Sequence, residues 1–148
     1  MTIHLARAAN VAGGQLDVLG LGWDVIGPGP LPSHVLIVSV RAPGSRDERP
    51  LTIRFELRRA SGEPVVLGDD ETAQPVQVSA EVALPSSSAV PEGLRRRAIS
   101  IVEIAAGMAL EPGLYEWVVS VDDDTEPGWR RRFYVRAKAD EYRSGTAD

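Results

Sequence analysis

The chain has 148 residues, 43% hydrophobic and 25% charged, with no cysteine and a formal net charge of −5. That length suits one domain able to bury a substantial core, and the composition excludes a disordered chain, a disulfide scaffold and a thiolate metal site. The modest negative charge gives no global attraction for nucleic acid or an anionic membrane.

Ile3–Val11 and Leu16–Ile26 are apolar runs on either side of Gly13-Gly14, a pair that reaches positive φ without penalty and closes a tight hairpin. The expectation is a hairpin over Ile3 to Val25 with Trp23 packed against the domain. Gly20-Leu21-Gly22 looks like a dinucleotide loop only superficially. The sixth position is Val25, and Gly27-Pro28-Gly29-Pro30 follows where a phosphate-binding helix would begin. The glycines read as a bend in the strand.

His34–Arg41 is the next strand. Leu51, Ile53, Phe55 and Leu57 then alternate strictly with Thr52, Arg54, Glu56 and Arg58, as a half-buried strand requires. Ser61-Gly62 turns the chain, and Val76, Val78, Ala80, Val82 and Leu84 repeat the alternation. Pro85–Pro91 reads as a loop, with at most one helical turn around Glu92–Arg97 and a strand over Ala98–Ile104. Tyr115, Trp117, Val119 and Val121 line one face of the following strand. Phe133 and Val135, in phase with Trp129, line one face of the last, which the Asp122–Gly128 segment joins to it.

Period two in segment after segment implies an all-β fold. The expected form is a single antiparallel β-sandwich of eight or nine strands, immunoglobulin-like or a related Greek key, over residues 1–138. Residues 139–148 form a polar tail. Pro112-Gly113 leading into Tyr115 has the pattern of a tyrosine corner with a hydrogen-bonded hydroxyl, and Trp117 stands where immunoglobulin domains place a cysteine. The amino terminus has no basic stretch ahead of an apolar core, and no apolar run approaches the ~20 residues that span a bilayer. The expected location is the cytoplasm, away from membranes. Lys138 is the only lysine among 16 basic residues, a bias that suits a GC-rich genome.

Two stretches carry a resemblance. Ala9-Asn-Val-Ala-Gly-Gly-Gln-Leu-Asp-Val-Leu-Gly-Leu-Gly-Trp-Asp24, followed by Gly27-Pro28, resembles the opening of a bacterial family of small proteins known as a domain of unknown function. Pro112-Gly-Leu-Tyr-Glu-Trp117 is similar to a stretch late in its members. The resemblance implies an all-β domain over nearly the whole chain. It brings no activity, cofactor or catalytic residue.

The residues themselves argue against catalysis. Nucleophilic chemistry needs an activated Ser, Thr or Cys beside a base. There is no Gly-x-Ser-x-Gly elbow, and the two histidines, His4 and His34, read as surface residues. Asp69-Asp70-Glu71 and Asp122-Asp123-Asp124 lie in predicted loops. Calcium takes six to eight oxygens from such carboxylates, so Asp69, Asp70, Asp122, Asp123 and Asp124 are the metal candidates, set against solvated turns as the plainer reading. Arg130, Arg132, Arg136 and Lys138 fall on one face of the last strand with Tyr134 among them. That stripe can meet a partner, track phosphates, or be balanced within the fold by neighbours such as Glu116. The resulting expectation is a non-catalytic module without a cofactor, binding a protein or a second copy of itself. A calcium or small-ligand sandwich and a nucleic-acid binder are the alternatives.

Overall fold

The computed structural model describes residues 1–43, 48–68 and 71–138. The strands are β1 (Thr2–Ala6), β2 (Ala8–Ala12), β3 (Gln15–Leu19), β4 (Val25–Ile26), β5 (His34–Ala42), β6 (Leu51–Arg59), β7 (Val66–Leu67), β8 (Gln74–Pro75), β9 (Gln77–Val82), β10 (Arg96–Ile104), β11 (Gly113–Val121) and β12 (Arg130–Val135). Apart from one 3-10 turn at Ser87–Ala89, every element among the described residues is a strand. The fold is all-β.

Two larger sheets carry the structure, one in the order β1-β5-β10 and one in the order β4-β12-β11-β6-β9. Alternation explains how they meet. Each strand puts every second side chain on one face, and those faces supply a single cluster: Leu36 and Val38 from β5, Ile53 and Phe55 from β6, Trp117 and Val119 from β11, Phe133 and Val135 from β12. Burying each of the large side chains contributes roughly 1.5–3 kcal/mol. Val76 and Val78, expected in this core, are only half-buried at its margin.

β5 is apolar on both faces because both are covered. Its outward-facing Val35 and Ile37 join Ala6 in a second cluster, against which Leu16 and Val18 of β3 and Ile99 and Ile101 of β10 pack. The β2–β3 hairpin therefore folds back over the outer face of the three-stranded sheet. Its turn is the expected one, with Gly13 at φ 58° and Gly14 at φ 76°.

Several expectations are corrected. The run Ile3–Val11 is two strands, since β1 pairs with β5 while β2 pairs with β3, and the chain turns the corner at Arg7. Leu16–Ile26 is also broken, because Gly20 and Gly22 both take positive φ. That corner is fastened by two backbone bonds, Arg7 N–H to Leu19 O at 2.9 Å and Gly22 N–H to Leu5 O at 2.8 Å. The pairing is not wholly antiparallel, for β4 runs parallel to β12 with Val25 beside Tyr134. The helical turn falls at Ser87–Ala89, ahead of Glu92–Arg97, and Arg96 and Arg97 already belong to β10. The segment 139–148 lies outside the described residues.

Candidate functional site

The outward face of the five-stranded sheet carries the predicted stripe. The β11–β12 register sets Arg132 opposite Glu116 and Tyr134 opposite Leu114. Arg130 Nη1 donates to Glu116 Oε1 at 3.1 Å, and Arg132 Nε donates to Oε2 at 3.2 Å. The Glu116 side chain is only 4% exposed, whereas those of Arg130 and Arg132 are 41% and 67% exposed. One carboxylate thus sits beneath two guanidinium groups and holds them flat against the sheet. On the other side of Glu116, β6 places Arg58, which also pairs with Glu56 at 2.8 Å. The Glu56 carboxylate raises the Arg58 pKa by its hydrogen bond and its charge.

Beside these charges runs an apolar row. Val25 of β4, Tyr134 of β12 and Leu114 of β11 are neighbours across three strands, and all three are exposed. An open cleft of about 650 Å³ lies along the β12 edge, lined by Asp24, Val25, Leu114, Arg130 and Arg132 among others. Arg136 and Lys138 follow the end of β12 and are exposed, with Arg136 N–H bonded to Ile26 O at 3.1 Å. Sequence reasoning found Tyr134 and the arginines but not Val25, whose place depends on a pairing partner 109 positions away. Leu114 follows from the β11–β12 register that also sets Glu116 opposite Arg132.

The acidic turn is built differently from a cation loop. Asp122 and Asp123 occupy its two central positions with φ of 50° and 69°. Asp122 Oδ1 accepts from Thr52 N–H at 3.0 Å, and its Oδ2 accepts from Arg49 at 2.9 Å. Asp123 pairs with Arg54 at 3.2 Å. These carboxylates are engaged in tying β11 to β6 and its approach. Among the described residues no group of three or more His, Cys, Asp or Glu is placed to hold a metal ion. Asp69 and Asp70 lie outside the described residues.

His34 is not a surface residue. It is 2% exposed, donates from Nδ1 to Pro32 O at 2.9 Å, and lies edge-on to Trp23 and tilted against Trp117. Burial lowers its pKa below the ordinary 6.5, so the ring is neutral and Nε2 is the unprotonated nitrogen. Trp23 packs on Phe133 as well, so it serves the core. Tyr115 donates its hydroxyl to Glu111 O at 2.9 Å, back along the chain.

No helix among the described residues is long and apolar enough to cross a membrane. Comparison with family models, curated proteins and solved structures finds no match to the chain.

Proposed function

We propose that this chain is a non-catalytic module that binds a protein partner across the outward face of its five-stranded sheet. The observation that carries the reading is the exposed row Val25–Tyr134–Leu114 beside Arg130 and Arg132, both pre-positioned by the buried Glu116. An amphipathic aromatic flanked by arginines is the composition of an interface centre, and side chains already held in place lose less freedom on binding. Two guanidinium groups share one carboxylate, so the face favours a partner with carboxylates next to an apolar side chain.

The proposal includes a sandwich of the immunoglobulin-like or Greek-key type, antiparallel apart from β4. Supporting it are the adjacency of β6, β11 and β12 in one sheet facing β1, β5 and β10 in the other, and the Tyr115 hydroxyl bonded to backbone just upstream. The resemblance to a bacterial family of small all-β proteins, and a cytoplasmic site of action, belong to the same reading.

The test uses the immobilised full chain in a bacterial cytosolic extract, beside Tyr134→Glu and Leu114→Glu. Leu94→Glu, on an exposed side chain away from this face, is the control. Proteins retained by the wild type and the control but lost by both face variants support the reading. Identical capture by all four chains overturns it.

A further inference from the structure

A second surface, in the other layer, carries a separate inference. β10 is nine residues long and stands at the end of its sheet, with β5 on one side and no strand on the other among the described residues. The direction of its backbone groups follows from the far side of the sheet. Gly22 N–H reaches Leu5 O from outside β1, so Leu5 and Ile3 point away from β5 while Thr2, His4 and Ala6 point toward it. Their partners Ser39, Ile37 and Val35 face β1, leaving Leu36, Val38 and Val40 to bond Val102, Ser100 and Ala98 of β10. The N–H and C=O groups of Arg97, Ile99, Ile101 and Glu103 consequently point outward along an open edge.

Open edges are usually blunted by shortness, proline, or charge. The other edges here follow that rule. β1 is met by Gly22, β4 is two residues long and runs into Gly27-Pro28-Gly29-Pro30, and β9 is six residues between Pro75 and Pro85. β10, Arg-Arg-Ala-Ile-Ser-Ile-Val-Glu-Ile, has no proline or glycine, and its two exposed charges, Arg97 and Glu103, are of opposite sign.

We propose that β10 pairs with β10 of a second copy of this chain, antiparallel and centred on Ser100, to form one continuous sheet across two protomers. The sequence is self-complementary in that register. Arg97 falls opposite Glu103 of the second copy, Ile99 opposite Ile101, Ala98 opposite Val102, and Ser100 opposite itself. The outward backbone groups of Arg97 and Glu103, and of Ile99 and Ile101, then exchange hydrogen bonds as closely spaced pairs. Centring the contact on Ile101 loses both charge pairs, and centring it on Ile99 sets Glu103 opposite Arg95, beyond the start of β10, so either shift leaves strand ends unpaired. The side chains are disposed to serve it. Arg97 and Glu103 are both exposed, and the one bond Arg97 makes across to β5, Nε to Ser39 Oγ at 3.0 Å, is to a neutral hydroxyl that a carboxylate at the edge can outcompete. Ile99 and Ile101, half-buried under the β2–β3 hairpin, gain an apolar neighbour across the dyad. Dyad-related edges of this kind are isologous and close at two copies.

The experiment is sedimentation and light scattering of the full chain over a concentration series, with Arg97→Glu, Glu103→Arg and the double swap. The symmetric contact contains each charge pair twice, so either single reversal weakens dimerisation roughly tenfold to hundredfold, and the double swap restores it to within about threefold. Melting curves of the same variants confirm that each is folded. Independently, the chain has no cysteine, and Ser100→Cys places one thiol on the dyad, at a non-hydrogen-bonded pair where Cα atoms stand ~4.5 Å apart. Mild oxidation should link two copies through that position. A monomer at every concentration together with no Ser100→Cys cross-link overturns the proposal. So does a dimer that both single reversals leave intact, or one that the double swap fails to restore.

Discussion

Removing the two arginines over Glu116 tests whether that carboxylate organises the sheet face. Either arginine alone keeps the buried carboxylate paired, so Arg130→Ala and Arg132→Ala should each cost the ~0.2–1 kcal/mol of a half-exposed ion pair. Removing both leaves Glu116, 3% exposed, with Arg58 as its remaining cationic neighbour. Stripping the partner from a fully buried charge costs ~3–5 kcal/mol. Here truncation also opens the carboxylate to water and Arg58 stays opposite, which brings the expected loss to about 2–3 kcal/mol. The double variant should therefore exceed the sum of the singles by ~1 kcal/mol, more than the ~0.3–0.5 kcal/mol within which independent sites add. Urea unfolding followed by tryptophan fluorescence at a common m reads these differences. For a chain of this size the double variant should melt ~4–12 °C lower. Glu116→Gln in the double background should recover part of the loss, since the stranded charge is then gone. Strict additivity, with no recovery on Glu116→Gln, would refute the reasoning.

Trp117→Ala should cost ~3–5 kcal/mol, because the ring is fully buried at the centre of the shared core. Tyr115→Phe, which removes only the bond to Glu111 O, should cost ~0.5–1.5 kcal/mol; equal melting shifts for the two would contradict their placement. Gly20→Ala should destabilise by more than the ~1–2 kcal/mol of a left-handed residue, as its new Cβ would sit 3.0 Å from Arg7 Cγ. Gly22→Ala, at φ 80° with open space around it, should lose only the conformational part, and chemical denaturation compares the two. His34 has its pKa lowered from 6.5 by burial, so below that value the unfolded chain binds more protons than the folded one. Stability should hold above ~pH 7.5 and fall as the pH drops through ~6.5 toward the lower folded value. A melting series from pH 8 to 5 should show this fall, and His34→Gln should flatten it.

Alternation made the core of β6 and β12 legible in the sequence, because the two faces of each differ in polarity, and in β11, whose outer face also holds Leu114 and Val118, the aromatic Tyr115 and Trp117 marked the inner one. Glu116 under the arginines could also be reached, since a hairpin fixes its own register. The break at Arg7 left no trace, for β1 and β2 are each short apolar strands and the change of partner lies in backbone direction. β4 was hidden by distance: two residues pair with a strand at the far end of the chain. His34 looked external because it opens a strand after Pro32-Ser33. Its burial depends on Trp23 and Trp117 arriving on either side, which no local pattern records.

The parallel pairing of β4 with β12 has a kinetic consequence. Val25 finds its neighbour only at Tyr134, so the five-stranded sheet cannot close until residue 135 has left the ribosome. Until then Trp23 has His34 beside it but not Phe133, and the early part of the chain waits beside its own β1–β5 pairing. Closing so long a loop is slow compared with the hairpins on either side. β12 thus decides when Val25 and Ile26 become part of the sheet, long after β1 has found β5.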